Sequence, residues 1–211
     1  MKRSRVVSLK NIGLTDFFKR NIIILMLCLV FILGVFVGTV CYIKNPVSTN
    51  LSRDWFNDYI SFRISDSFFS VFINSAIYFL TISISVFACG SSMMGTVLVP
   101  SLILYLGFRY GLIASYAYSV YELKGIAFNA IILIPPTVMF LIGLFFASKS
   151  SVEFSLIMTK LALPKSAPRN ISSDFKIYSG KFVILFFVIF LSSIIDASLC
   201  RWLIDFFKFA N

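Results

Sequence analysis

IIILMLCLVFILGVFVGTVCYI, residues 22–43, decides the fold. No charge interrupts it. As a helix at 1.5 Å rise per residue it is roughly 33 Å long, enough to cross ~30 Å of hydrocarbon. Outward from this run the chain has about five such stretches, at 22–43, 68–90, 94–119, 126–148 and 181–204. A soluble protein of 211 residues has no core large enough to hide them. The fold class is therefore all-α: a polytopic membrane protein with about five transmembrane helices and short interfacial amphipathic helices. Three parts follow: a basic N-terminal segment (1–21), a single transmembrane domain (22–205) and an interfacial tail (206–211).

Composition agrees. Hydrophobic residues make up 59% of the chain and charged ones 13%, with 25 Phe. The net charge of +10 is no nucleic-acid signature, because the cations sit between apolar runs. Lys2, Arg3, Arg5, Lys10, Lys19 and Arg20 precede the first span; Lys149, Lys160, Lys165, Arg169, Lys176 and Lys181 separate the fourth from the fifth. An even number of spans lies between the two groups, so both face the cytoplasm by the positive-inside rule. The nearly neutral first loop, with Lys44, Arg53 and Arg63 against Asp54, Asp58 and Asp66, then faces outside, as does the C-terminus. The first run starts too late and runs too long for a removable signal peptide.

Catalytic and metal-binding classes find little support. The chain has no His, and its four Cys (Cys28, Cys41, Cys89 and Cys200) form no CxxC. HExxH, GxSxG and Walker patterns are absent, and no paired carboxylates share a helix face. No cofactor and no enzymatic activity is expected.

Two soluble pieces flank the spans. Residues 52–63, SRDWFNDYISFR, put aromatics, including Trp55, at spacings near three and four. This suits an amphipathic helix at the outer interface or, equally, an ordered loop carrying an aromatic belt. Residues 149–163 predict a short helix on the inner surface, ended by Pro164 and Pro168.

Polar features inside the spans need a reason. Arg109 lies in LGFRYG, residues 106–111, and Asp196 in LSSIIDAS, residues 191–198. Either Arg109 snorkels to the surface or it finds an internal partner, for which Asp196 at similar depth is the candidate. Gly34 and Gly38 form one GxxxG step and Gly107 and Gly111 another; each bares a patch of backbone for a close helix neighbour. Gly90 and Gly95 bracket a charge-free link, read as a tight turn with a re-entrant loop as the alternative. Pro135 and Pro136 donate no backbone hydrogen bond, so a helix through them bends or breaks. That mark fits a packing kink or a transporter's broken helix.

The run from FINS (72–75) to YLGFRYGL (105–112), with the VYELKGIAFNAIILIPP segment (120–136) continuing to Phe140, resembles the stage II sporulation protein M family. The likeness covers most of residues 15–205. Asn74, Gly90, Gly95 and Gly111 fit the family's early Asn, small-residue turn and late glycine. Distant members carry an HG pair and an acidic residue where this chain has Pro135-Pro136-Thr137, which favours the sporulation branch. The resemblance implies a non-enzymatic membrane scaffold in forespore engulfment, in the mother-cell membrane at the septum and engulfing front. It would anchor a lytic transglycosylase and an amidase/endopeptidase that remodel peptidoglycan. Contacts would use the small-residue spans and residues 44–67, beside contact with the lipid bilayer and, as an option, homo-oligomers. The competing class is a small transporter or channel-like protein in which Arg109, Asp196, Asn74 and Pro135-Pro136 line a route across the membrane.

Overall fold

The computed structural model describes residues 14–44, 46–64, 67–162 and 171–203, and these are helical apart from short turns. The helices are α1 (Leu14–Lys44), α2 (Pro46–Ile64), α3 (Phe68–Gly90), α4 (Gly95–Phe128), α5 (Ile134–Leu161) and α6 (Ile171–Leu203). A π-helical segment, Asn129–Leu133, joins α4 to α5. The basic residues before position 14, Pro164, Pro168 and the tail at 206–211 lie outside the described residues.

Among the described residues, four helical stretches are long and apolar enough to cross a membrane: Asn21–Lys44, Phe68–Gly90, Gly95–Leu161 and Ile171–Trp202. Only 17% of the most apolar window of the first is buried in the bundle. Met26, Leu29, Ile32 and Phe36 instead point outward, as do Ile84, Ile142, Phe146, Val183 and Phe187 on other helices. Water would penalise that surface at about 25 cal/mol per Å², so its solvent is lipid.

The third stretch holds 67 residues, too many for one crossing. It doubles back at Glu122, the single non-glycine residue with positive φ among those described (φ 46°, ψ −124°). A Cβ at Gly125 would run into the Ala117 carbonyl, so the tight return needs glycine there. After the turn, Asn129 meets Tyr110 and Tyr118 of α4, which a straight helix would hold far apart. Among the described residues five apolar passes result: α1, α3, α4, α5 and α6.

The two GxxxG steps dock against each other. A Cβ on Gly34 or Gly38 would strike the backbone carbonyl of Leu104 or Phe108; one on Gly107 or Gly111 would strike that of Phe31 or Val35. Parallel α1 and α4 thus meet backbone to backbone, which maximises dispersion where no hydrophobic effect drives association. These faces are used inside the chain and are closed to the partners expected from the sequence.

At the end of the bundle remote from α2, Gly90 and Gly95 frame a turn rather than a re-entrant loop. Ser155 Oγ and Thr159 Oγ1 donate to the Met93 carbonyl, each at 3.1 Å, and Ser155 Oγ accepts from the Thr96 amide. A Cβ on Gly90 would collide with Ser151 and the Tyr178 hydroxyl. Tyr178 stacks between Phe87 and Phe154, with centroids 5.0 and 4.8 Å away, and donates to the Phe87 carbonyl at 2.8 Å. The separate surface helix expected at 149–163 is therefore absent over the described part: α5 runs on without a break to Leu161, because Ser148, Ser151, Val152, Phe154 and Ser155 are buried against this turn and α6.

Pro135 and Pro136 do not break the helical path. They stand at the first positions of α5, after the wider π turn that takes up the lost donors. Pro136 is buried, and its carbonyl accepts from Ser192 Oγ at 2.6 Å, which ties α5 to α6.

Candidate intramembrane polar cavity

Residues 52–63 form the C-terminal part of α2, and the helix is drawn into the bundle instead of lying free at an interface. Ser52, Phe56 and Ile60, four residues apart, make its buried stripe, while Arg53, Asp54, Asn57 and Asp58 stay exposed. Phe56 packs on Tyr116 of α4 and on Phe128 after the turn, at 5.2 and 6.0 Å between centroids. This anchoring aims the last turn of α2 inward.

Arg63 is carried by that turn. It pairs with Asp196 of α6, and Ser75 of α3 donates to the same carboxylate oxygen. Arg63 Nη2 also reaches Ser75 Oγ at 3.3 Å, its Nη1 donates to the Tyr59 carbonyl at 3.0 Å, and its guanidinium lies 3.5 Å from the Tyr59 ring centroid. Cys200 Sγ approaches the other carboxylate oxygen at 3.8 Å. Asp196 is 1% exposed and Arg63 11%. The Asp196 carboxylate and the Tyr59 carbonyl and ring thus compensate the buried guanidinium.

The pairing expected from the sequence is thereby corrected. Asp196 pins α2 and α3 to α6, and its cation is Arg63, not Arg109. Arg63 reads from the sequence as a loop charge, because nothing local says that α2 folds inward. The spacing of Tyr59 and Arg63, one helical turn apart, was the available signal.

Arg109 has no ion-pair partner among the described residues. Two rings flank it instead: Trp55 of α2 at 5.3 Å and Tyr78 of α3 at 5.0 Å. Its Nε–H, like that of Arg63, is buried with no acceptor among the described residues. Both arginines line one cavity of about 610 Å³ between α2, α3, α4 and α5. Asn74, Ser75, Tyr78, Thr81 and Ser85 face it from α3, Tyr105 and Tyr110 from α4, and Thr137 with Phe140 from α5. Of the expected site residues, Arg109 and Asn74 meet here, with Trp55 beside Arg109 and Asp196 one residue behind the wall. Gly34, Gly38, Gly107, Gly111, Gly90, Gly95 and Pro136 serve packing elsewhere, and Pro135 is exposed at the start of α5.

Asn129, buried in the π segment, was missed. Its amide donates to Tyr118 at 2.6 Å and accepts from Tyr110 at 3.1 Å. An Asn inside the apolar fourth run was its only signal. Among the described residues no three His, Cys, Asp or Glu side chains converge. The chemistry at hand is recognition by charge, hydrogen bonding and aromatic faces.

The chain is thus a membrane-embedded helical protein whose buried polar side chains bond to one another within the bundle. Compared with known proteins, it is matched by no family model, no curated protein and no solved structure.

Proposed function

We propose that this protein is a small transporter or channel-like membrane protein that handles a polar or charged solute through its intramembrane polar residues, without catalysing a reaction. The observation that carries this reading is one cavity shared by two arginines and by hydroxyl and amide side chains from three passes. Its volume falls in the range of small-molecule sites. An uncompensated cation at membrane depth costs several kcal/mol and is kept where a solute or water uses it. The pattern of basic residues supports a cytoplasmic N-terminus and an outer α2. The test is flux from proteoliposomes loaded with small organic and inorganic anions, with intact protein against Arg109→Gln. Flux above protein-free vesicles that falls at least about tenfold in the variant is the expected result. Intact, folded protein that passes none of these solutes would sink the reading.

A second reading comes from the likeness to the stage II sporulation protein M family: a scaffold for peptidoglycan-degrading enzymes in engulfment. The exposed charged face of α2, with Arg53, Asp54, Asn57 and Asp58, is the observation that favours it, since this face is free for an extramembrane partner. Copurification of a lytic transglycosylase or amidase, lost when those four residues are changed, would support it.

A further inference from the structure

We infer that the cavity is a lateral site for an anionic amphiphile, an oxyanion carried on an apolar chain, which rests on that cavity being the functional site. Four observations converge. First, Arg109 brings a full charge that no carboxylate among the described residues neutralises; Trp55 and Tyr78 flank it but supply no anion. Second, the buried Nε–H of Arg109 has no acceptor among the described residues, so a donor is left for an incoming oxyanion. Arg63 adds no competing demand, because Asp196 holds it.

Third, the cavity is open on the lipid side. Ile77 of α3 and Tyr105 of α4 line it and are also 56% and 50% exposed on the outside of the bundle. The gap between these helices therefore leads from the acyl-chain region to Arg109. Fourth, beyond the arginine the lining is mainly apolar, with Phe31, Ile82, Leu102, Leu106 and Phe140, and the hydroxyls of Thr81, Ser85 and Thr137 there already donate to backbone carbonyls one turn back. A small hydrated anion would leave that part dry and unfilled. A headgroup at Arg109 with a chain along the apolar wall fills both parts. Asp58, exposed at the water-side edge, disfavours a second negative charge there, so a singly charged headgroup fits best.

The molecule carries its own reporter. Its two tryptophans are Trp55, beside Arg109, and Trp202, 83% exposed near the end of α6. Trp202→Phe leaves Trp55 alone at the site; Trp55→Phe leaves Trp202 as a bystander. Each protein is reconstituted into bilayers holding graded fractions of brominated-chain phosphatidylglycerol, phosphatidylcholine or stearate (ionised, at pH 9), and quenching is read. Trp55 should be half-quenched at a roughly fivefold lower fraction of the anionic amphiphiles than of phosphatidylcholine. Trp202 should show no such preference. Preference for both phosphatidylglycerol and stearate supports the general oxyanion amphiphile; preference for one alone identifies its source as a phospholipid or a free acid. Arg109→Gln should abolish the preference, and Ile77→Trp paired with Trp55 and Trp202 both replaced by Phe should report contact at the lateral opening. If these variants misfold, the headgroup comparison in the Trp202→Phe protein decides alone.

Equal quenching by all three lipids would overturn the inference, as would protection of Trp55 by inorganic phosphate with no amphiphile preference. Solute flux without headgroup preference would leave the transport reading standing and remove the amphiphile. Headgroup preference without flux of any solute would do the reverse.

Discussion

Asp196→Leu should be among the most damaging single changes in this protein, and Arg63→Met should repair much of the damage. The pair is nearly dry, with Asp196 1% and Arg63 11% exposed. Removing one partner of a buried pair strands the other charge at a cost of about 3–5 kcal/mol. The lower end applies to Asp196→Leu, because Arg63 keeps the Tyr59 carbonyl at 3.0 Å and the Tyr59 ring at 3.5 Å. Ser75 loses its acceptor as well, but its hydroxyl can turn to a helix carbonyl. The expected loss is about 3 kcal/mol, or roughly 6–12 °C in melting temperature for a chain of this size. The Arg63→Met/Asp196→Leu double variant removes both charges and should lie within about 1 kcal/mol of the parent. By the same reasoning Arg63→Met alone should cost about 3–5 kcal/mol, so thermal melts followed by the monodisperse fraction in detergent should give a coupling of at least about 5 kcal/mol over the full cycle. A parallel cycle on Arg109 and Asp196 should couple by less than about 0.5 kcal/mol. Strong coupling of 109 with 196 and none of 63 with 196 would refute the assignment.

Three further outcomes follow from particular contacts. Gly107→Ala places a methyl against the Phe31 carbonyl, so α1 and α4 must part; a melting loss worth about 1–3 kcal/mol is expected, and a loss under about 0.5 kcal/mol would contradict the backbone seam. Tyr178→Phe gives up the bond to Phe87 but keeps both stacked rings, for about 1 kcal/mol, whereas Tyr178→Ala should cost about 3–5 kcal/mol in the same melts. At Glu122, φ 46° strains a side-chain-bearing residue; Glu122→Gly should hold or raise the melting temperature, and Glu122→Ile should lower it by an amount worth about 1–3 kcal/mol.

Much of the architecture could be read from residue order alone. An uncharged apolar run has one cheap solvent and, in that solvent, one cheap backbone conformation, so runs such as 22–43 declare membrane helices without help from neighbours. The glycines also spoke locally: a GxxxG step says that something approaches closely, though not what. Only the folded chain revealed that the two steps, 73 residues apart at Gly34 and Gly107, face each other.

The site was a different matter. Arg109 and Asn74 stood out because polar groups in apolar runs are costly, and both do line the cavity. Arg63 did not stand out, because its segment reads as a surface loop or helix until Phe56 and Ile60 are seen packed in the bundle. Composition and periodicity therefore determined the solvent, the helices and which side chains were anomalous, since these depend on each segment's own transfer free energy. Tertiary structure alone decided that Asp196 belongs to Arg63 and that Arg109 is left without an ion-pair partner among the described residues, because a charge chooses its partner by distance, and distances between segments are set by packing.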